Sequence, residues 1–399
     1  MFADAHVFDK EYQGTRTFIK EIYTHLAQKK DLAIYLGAYD IDNLRNIFSG
    51  FDNIHFLKYK SRSRFKRLLY DIPSVLGKYK IDYAHFQYIS PLVKKCKYIV
   101  TIHDLLIYEY PKEFPLSYKI LKKILFKRSA SRADILTTVS AYSKKSIEKY
   151  FRPEGNTIHI IPDGVSKTFF APYDKSYSQK LIKEKYGIER FILYVSRFEP
   201  RKNHISLLKV YLESELYQKG YFLVLLGHKS LNIPEFDSTV AQLPEEIRKF
   251  IFISNTIADE ELLEFYRASS VFVYPSLAEG FGISPLEAAA LKIPVICSNS
   301  SAMAEFSFFG EWHINPTNQS LLKKKLLDAI SNPPDEEYLT TVSNFIHKYY
   351  SWEQSAEKLY HILFNKEIVA DVKFKKKLPV RNKYDQVINS MIPLNTKAN

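Results

Sequence analysis

The chain has 399 residues, 46% of them hydrophobic, and this length suits two domains of ordinary size better than one. Its longest apolar runs are far shorter than the roughly 20 residues of a membrane-spanning helix, and its first residues lack the basic and apolar stretches of a signal peptide, so we expect a cytoplasmic protein. The two cysteines stand far apart without companions at metal-ligand spacing, which argues against a disulfide framework and against a zinc site.

The net charge of +13 is unevenly distributed along the chain. Residues 1–172 carry 29 Lys and Arg against 17 Asp and Glu, residues 173–365 carry 20 against 24, and residues 366–399 carry 8 against 3. A basic first half predicts that this lobe faces a polyanion, either nucleic acid or an anionic lipid surface. The plain alternative is a solvated cationic surface.

Short apolar runs alternate with longer amphipathic stretches, a rhythm that predicts βα units around parallel sheets. The rhythm pauses between residues 169 and 187, so we place the junction of two domains there, the first at 1–172 and the second at 188–350. Apolar residues at helical spacing predict a terminal helix at 351–365 that packs back toward the first domain, and a basic tail follows at 366–399. The predicted strands are, in chain order, 34–36, 98–102, 135–139, 158–161, 191–195, 222–226, 251–253, 271–274 and 295–297.

Two segments of the first half place candidate residues beside predicted elements. Gly14 precedes the helical stretch 18–28, a position that fits a loop in contact with a ligand. His103 and Asp104 follow the predicted strand 98–102, at the carboxyl end where open parallel sheets bind ligands. The alternative for His103 is a structural histidine held by the neighbouring carboxylate.

In the second half, Arg197 and Lys202 follow the predicted strand 191–195. A planar guanidinium and a compact ammonium together suit a diphosphate. Taken alone, basic residues in a surface loop are more often merely solvated.

The densest signal follows the predicted strand 271–274, where Glu279 and Glu287 bracket a glycine-rich turn. Glycines at such a point let backbone N–H groups approach a phosphate or sugar, and ionised carboxylates accept hydrogen bonds from hydroxyl-rich ligands. A structural alternative exists for Glu287, because Ser284, Pro285 and Glu287 together have the pattern of a capping box at a helix start. Capping leaves Glu279 unexplained.

Taken together and in this order, these segments resemble the retaining glycosyltransferases of family 4, from about Gly14 to about Leu363. The most specific element is the pair Glu279 and Glu287 with seven residues between them. The chain departs from the family pattern at Gly14, which lacks a neighbouring second glycine, and after Glu305. The resemblance implies an α/β protein with the GT-B fold, in which two Rossmann-like domains have parallel sheets that face each other across a deep cleft.

By the same resemblance, Arg197 and Lys202 hold the donor diphosphate and Glu287 bonds the ribose hydroxyls. His103 reaches the donor sugar, and Gly14 lines the cleft near the phosphates. The transferred sugar is held by Glu279 and by the backbone of the four residues after it, Gly280, Phe281, Gly282 and Ile283.

The resemblance implies transfer with retention of anomeric configuration and without an enzyme nucleophile, a metal or a cofactor, because Arg197 and Lys202 stabilise the leaving group. Mannose from GDP-mannose is the first choice of donor and a UDP-linked hexose the second. The acceptor is a glycan or a lipid-linked glycan in the assembly of a bacterial surface polysaccharide.

Two basic stretches of the first half, 58–67 and 118–128, combine cationic and apolar residues and predict peripheral attachment to the anionic inner face of the cell membrane. A nucleic-acid-binding protein is the rival suggested by charge, but no recognised nucleic-acid motif is found. A catalytically silent sugar-binding module of the same fold stays open. A sugar phosphorylase would need much greater length, and an epimerase more acid and base candidates.

Overall fold

The computed structural model describes residues 1–9, 14–111, 116–153 and 157–364. The predicted tail at 366–399 lies outside the described residues. The chain divides into two compact units, one formed by Met1–Gly164 with the terminal helix and the other by Val165–Ser351. Residues 165–172, which the sequence analysis assigned to the first domain, belong to the second unit, where the Phe169 ring lies 5.6 Å from that of Tyr266.

The first unit holds a seven-stranded sheet in the order β3-β2-β1-β4-β5-β6-β7, in which every pair of neighbours is parallel. Its strands are β1 (Phe2–Asp4), β2 (Ile34–Ala38), β3 (Ile54–Lys58), β4 (Tyr83–Gln87), β5 (Lys97–Thr101), β6 (Ile135–Thr138) and β7 (Ile158–Ile160). Its helices are α1 (Gly14–Leu26), α2 (Ile41–Ile47), α3 (Arg64–Lys66), α4 (Ile72–Lys78), α5 (Leu106–Glu109), α6 (Leu116–Ser131) and α7 (Ala141–Phe151).

The second unit holds a six-stranded parallel sheet in the order β10-β9-β8-β11-β12-β13. Its strands are β8 (Arg190–Val195), β9 (Tyr221–Leu226), β10 (Ile251–Ser254), β11 (Val271–Tyr274), β12 (Val295–Ser298) and β13 (His313–Ile314). Its helices are α8 (Lys175–Tyr186), α9 (His204–Glu213), α10 (Pro234–Gln242), α11 (Glu245–Arg248), α12 (Asp259–Ala268), α13 (Ser284–Ala290), α14 (Gln319–Ser331) and α15 (Glu336–Tyr349).

The terminal helix α16 (Trp352–Leu363) packs on α1 within the first unit. The Trp352 ring lies edge-on to Phe18, with the ring centroids 6.0 Å apart, and the Tyr83 hydroxyl donates to the Leu363 carbonyl at 3.2 Å. The apolar face of α16 is therefore buried against the first sheet and its helices, although the chain reaches it only after completing the second unit.

All nine predicted strands are present, and their parallel pairing confirms the predicted α/β class. Buried parallel strands read as near-continuous apolar runs because helices cover both faces, and β8 and β9 have this character. In each sheet the strand order reverses between its first strand and its fourth, β1 and β4 in one, β8 and β11 in the other. Ligands of doubly wound sheets bind at the carboxyl ends of such a strand pair.

Gly227, directly after β9, allows the chain to pass close to Ser196 at the end of β8. Its φ is +145°, and a Cβ atom there would lie 2.0 Å from the Ser196 carbonyl oxygen. We expect Gly227→Ala to lower the free energy of unfolding by at least about 2 kcal/mol, because backbone has to move. Gly77→Ala in α4 is the matched control, since nothing lies within 4 Å of its added methyl group. Thermal unfolding of both variants checks this, and equal stability would contradict it.

Candidate functional site

Lys202 and Glu279 meet at the switch point of the second sheet. Lys202 follows β8 and Glu279 follows β11, and these two strands are neighbours in the sheet. The Lys202 Nζ donates to Glu279 Oε1 at 2.5 Å, and both residues are buried, with 7% and 6% exposed. The two residues that the sequence placed 77 positions apart thus form one ion pair where a ligand of this fold would bind.

The Glu279 carboxylate is held by four donors. Its Oε1 accepts from Lys202 and also from the hydroxyls of Tyr274 at 2.9 Å and Ser276 at 2.7 Å. Its Oε2 accepts from Arg201 Nη1 at 3.1 Å. Because a carboxylate oxygen has two lone pairs, the three donors at Oε1 leave no lone pair for a further one.

Ion pairs extend from Glu279 to the surface. Arg201 Nη2 donates to Glu199 Oε2 at 2.5 Å, and Glu199 Oε1 lies 3.4 Å from Arg197 Nε. Only Arg197 of this series is substantially exposed, with half of its side chain accessible. Three cations and two carboxylates therefore alternate along the series and leave one net positive charge beside the switch point. The sequence analysis selected the two ends and Glu279 but missed Glu199 and Arg201, whose signal was the alternation of charge within residues 197–202.

The pKa of Glu279 shifts against the effect of burial, whereas the pKa of Lys202 shifts with it. Burial alone would raise the pKa of Glu279, but Lys202 and Arg201 lower that pKa to about 2. Burial, with the repulsion of Arg201, lowers the pKa of Lys202 to about 8 in spite of Glu279. The Glu279 carboxylate is ionised at neutral pH, whereas the Lys202 ammonium loses its proton about one pH unit above neutral.

The backbone around Glu279 is fixed as tightly as its side chain. The Glu279 amide donates to Ser301 Oγ at 2.8 Å, and Ser301 has a φ of 55°, a left-handed conformation that is uncommon for serine. Gly282 also has a positive φ, of 96°, and a Cβ atom there would lie 2.9 Å from Met303 Cγ. Of the residues between Gly280 and Ile283, Phe281 is buried against Phe306. The turn is thus preformed.

Glu287 lies outside this series of ion pairs. Its carboxylate accepts from the Tyr266 hydroxyl at 3.0 Å, and burial raises its pKa to about 7. The capping box is wrong: Ser284 is the first residue of α13, and Ile283 takes the cap position without a side-chain hydrogen bond. With capping removed as an explanation, a half-buried carboxyl group remains near the end of the glycine turn.

In the first unit, His103 follows β5 and is 9% exposed. Its Nε2 is hydrogen-bonded to Gln87 Oε1, and its ring lies edge-on to Phe18, with the centroids 4.9 Å apart. Asp104 does not hold the ring, because its carboxylate accepts from the Tyr88 hydroxyl and from the Leu106 amide. The neighbouring-carboxylate alternative is therefore wrong.

Gly14 is the first residue of α1, the helix that supplies Phe18, and a Cβ atom at Gly14 would meet nothing within 4 Å. Open space around this position leaves room for a ligand but does not by itself require glycine. The residues just before it, 10–13, lie outside the described part of the chain.

The described residues contain neither a metal cluster nor a helix that could span a membrane. Within 1–9, 14–111, 116–153 and 157–364, no group of three or more His, Cys, Asp or Glu side chains is placed to hold a metal ion. In the same part of the chain, every helix is too short or too polar to cross a bilayer.

Both units match known families. Residues 12–169 match the family described as Glycosyltransferase Family 4, and residues 177–344 match the family described as Glycosyl transferases group 1. The chain is 25% identical over 344 residues to the O-antigen chain mannosyltransferase B of Escherichia coli, covering 81% of this chain and 88% of that one. It is 31% identical over 238 residues to the O-antigen chain mannosyltransferase RfbU of Salmonella typhimurium, covering 58% of this chain and 62% of RfbU.

Solved structures of the same architecture have more distant sequences. Sucrose-phosphate synthase from Thermosynechococcus elongatus superposes with a TM-score of 0.70 at 17% identity, over 91% of this chain and 98% of that one. HepE from Anabaena, in complex with UDP-glucose, superposes with a TM-score of 0.68 at 14% identity, over 91% and 98%. At these identities the likeness concerns the fold.

Proposed function

The chain belongs to glycosyltransferase family 4, with a group 1 glycosyltransferase domain in its second half and the GT-B fold, and from this premise we propose that it is a retaining hexosyltransferase. The proposed reaction moves mannose from GDP-mannose to a glycan or lipid-linked glycan during assembly of a bacterial surface polysaccharide. Both O-antigen relatives are named mannosyltransferases, which supports this choice of sugar and pathway. A UDP-linked hexose is the alternative, supported by the UDP-glucose complex of HepE.

The observation that carries the proposal is the buried series of ion pairs at the switch point. It ends on one side in the exposed guanidinium of Arg197 and on the other in the Lys202 ammonium, with one net positive charge. A planar guanidinium and a compact ammonium together suit a diphosphate. The preformed turn from Gly280 to Ile283 then offers backbone groups to the sugar, without a metal ion or a cofactor.

In the proposed reaction the acceptor hydroxyl approaches the anomeric carbon from the face that the nucleoside diphosphate leaves. The bond between that carbon and the phosphate oxygen breaks, the bond to the acceptor oxygen forms, and a phosphate oxygen takes the hydroxyl proton. Negative charge develops on the diphosphate, where Arg197 and Lys202 stabilise it. The anomeric configuration is retained, and His103 bonds the donor sugar.

Thermal stability against GDP, UDP, ADP and their common sugar conjugates tests the proposal. Ligand at 100 times its dissociation constant adds about 2.7 kcal/mol to the free energy of unfolding. We expect a selective rise with one nucleotide and its sugar conjugate, lost in Lys202→Ala and kept in Lys209→Ala. Binding without transfer to any glycan acceptor would favour a silent sugar-binding module. The absence of a rise with every nucleotide, with binding to nucleic acid instead, would refute the proposal.

Glu287 predicts a pH dependence of donor binding. Its pKa of about 7 belongs to the free protein, and ribose hydroxyls are better bonded by the ionised form. We expect nucleotide affinity to rise by up to about tenfold between pH 6 and pH 8, because the ionised fraction rises about tenfold over that range. Calorimetric titrations check this, with Glu287→Gln as the variant whose profile is flat. An unchanged profile in that variant would show that the nucleotide phosphates or Lys202 titrate instead.

We propose further that the first unit binds an anionic membrane through one face. Ile120, Leu121 and Ile124 of α6 are exposed between basic residues, and so are Phe65, Leu69 and Tyr70 before α4. Tyr98 packs on the core beneath α4, and Val100 packs on the core beneath α6. Positions two apart on β5 point to the same face, so both helices cover one face of the sheet. Exposed apolar and cationic residues on one face suit anionic lipid.

Membrane attachment through this face predicts that Ile124→Asp loses vesicle binding. We expect the protein to sediment with vesicles containing anionic lipid, to be released by salt, and to lose most of this binding in the variant. Tyr177→Asp is the matched control, since Ile124 and Tyr177 are both 62% exposed and Tyr177 belongs to the second unit. Equal binding of the native protein to neutral and anionic vesicles would contradict the proposal.

A further inference from the structure

A buried polar network in the first unit ends at His103 and contains residues to which the proposed reaction gives no role. His85 and Gln87 lie on β4 and are 1% and 7% exposed, and Thr101 on β5 is fully buried. A strand in the middle of a parallel sheet rarely carries such side chains, because each buried polar group needs a partner. These buried polar residues must therefore satisfy one another's hydrogen bonds.

Gln87 bridges the two histidines. Its Oε1 is hydrogen-bonded to His103 Nε2, and its Nε2 lies 3.2 Å from His85 Nε2. His85 Nδ1 is bonded to the Tyr23 hydroxyl at 2.9 Å, and His85 Nε2 lies 2.7 Å from Thr101 Oγ1. Four secondary-structure elements, α1, β4, β5 and the segment after β5, are thus joined through one amide and two imidazoles.

The amide decides which ring nitrogen carries the proton. Burial lowers the pKa of His103 to about 3 and that of His85 to about 3, so both rings are neutral and each has one N–H and one lone pair. A carbonyl oxygen only accepts, so His103 donates from Nε2 to Gln87 and keeps its lone pair on Nδ1. The Gln87 amino group donates to His85 Nε2, which leaves the His85 Nδ1–H for Tyr23. The Thr101 hydroxyl, 2.7 Å from His85 Nε2, shares that lone pair with the Gln87 amino group and in turn accepts from Thr137 Oγ1 at 2.6 Å.

The His103 ring is also held in orientation. Phe18 and Tyr88 flank it, with ring centroids 4.9 and 5.5 Å away, and its carbonyl oxygen accepts from Ser143 Oγ at 2.8 Å. Among the described residues, the Nδ1 of His103 has no hydrogen-bond partner. The nearby titratable groups are otherwise engaged, since His85 is bonded to Gln87 and the Asp104 carboxylate to Tyr88.

We propose that Gln87 is a positioning residue that holds His103 as the Nε2–H tautomer, so that Nδ1 is presented as a hydrogen-bond acceptor for a hydroxyl of the bound sugar. The inference rests on the proposed function for the identity of that hydroxyl, and it adds the direction of the bond: His103 Nδ1 accepts a hydrogen bond from the hydroxyl and does not act as an acid. The selection of the tautomer itself stands on the hydrogen bonds of the free protein.

The test combines ¹⁵N NMR of the histidine rings in the full-length protein with transfer kinetics, the His103 signals being assigned by their loss in His103→Asn. In the native protein we expect a neutral ring with its proton on Nε2. In Gln87→Leu we expect a mixture of tautomers and a fall in kcat of about ten- to hundredfold with little change in the donor KM, because the ring loses its orientation. In Gln87→Glu, a carboxylate beside Nε2 should raise the pKa of His103 by about one to three units and add a matching acidic limb to the pH profile of kcat.

Thr101→Val is the control, because Thr101 contacts His85 and not His103. It should lower thermal stability while the His103 tautomer stays unchanged. An unchanged His103 tautomer in Gln87→Leu, or the same change in Thr101→Val, would overturn the inference. A tautomer that responds to Gln87 while kcat does not would leave the positioning intact and refute the role of His103 in transfer, so the two failures are distinguishable.

Discussion

Glu279→Leu is expected to lower the free energy of unfolding by about 3–5 kcal/mol, the cost of removing one partner from a buried ion pair. The substitution leaves the Lys202 ammonium buried with the Tyr274 hydroxyl as its remaining hydrogen-bond partner, whereas Arg201 keeps Glu199 and the Ala278 carbonyl. The loss should therefore come mainly from Lys202. Chemical denaturation of the native protein and the variant measures it.

Glu287→Leu is the matched control for this loss. Glu287 is a partly buried glutamate of the same segment, but its carboxylate accepts from the Tyr266 hydroxyl, so that no cation is left unpaired when it is replaced. We expect that variant to be about as stable as the native protein. Lys202→Met in the Glu279→Leu background should recover much of the loss, because it removes the unpaired charge. Equal losses in the two glutamate variants would show that the ion pairs do not carry the effect.

The sign of the pH dependence follows from Lys202. A lysine whose pKa is lowered on folding binds fewer protons in the native state, so stability rises with pH between the native pKa of about 8 and the unfolded value of 10.5. Without Glu279 the native pKa falls further and the window extends to lower pH. The deficit of Glu279→Leu should therefore be smaller at pH 9 than at pH 7.

The strands that the sequence predicted are those that consist of apolar runs, and three of the four that it missed have a physical reason. β4 carries His85 at its centre and Gln87 at its end, and these polar residues mask the apolar pattern of a buried strand, because they bond each other and residues far away in the sequence. β1 and β13 have three and two residues, which is too short for a pattern. Parallel pairing followed from the alternation of strands and helices, whereas the strand order required the structure.

The sequence predicted Arg197, Glu279 and Lys202 in the series of ion pairs but not Glu199 and Arg201 between them. The resemblance pointed to Lys202 and Glu279, but the sequence does not reveal that both adjacent cations, Arg201 and Lys202, contact the carboxylate. Arg201 has more of these bonds than Lys202, since its guanidinium donates to Glu199, Glu279 and the Ala278 carbonyl. Local sequence pattern also favoured a capping role for Glu287 that the fold does not use, because Ile283 and not Ser284 occupies the cap position.

The difference between Arg201 and Lys202 suggests how the resting site receives a donor. Arg201 cannot leave without breaking bonds to three groups, whereas Lys202 donates, among the described residues, to Glu279 and Tyr274 only. If Lys202 turns to the diphosphate, Glu279 stays ionised beside Arg201, and Tyr274 and Ser276 continue to hold Oε1, which then has two donors for its two lone pairs. The same movement would thus place a cation on the leaving group and relieve the crowding of three donors at Oε1.

Lys202→Met is accordingly expected to reduce kcat for sugar transfer by about 10²–10³-fold, the usual loss when one charge-stabilising group is removed from a transition state. Stability should fall less than in Glu279→Leu, since Glu279 keeps Arg201 and two hydroxyls. Lys209→Met is the control: Lys209 forms an exposed ion pair with Glu235, so this variant should transfer sugar at the native rate.

Transfer by the native protein should also continue in excess EDTA, because Arg197 and Lys202 are proposed to do what a metal would do at the diphosphate. Activity abolished by EDTA and restored by a divalent cation, with Lys202→Met close to native, would assign the stabilisation of the leaving group to a metal instead.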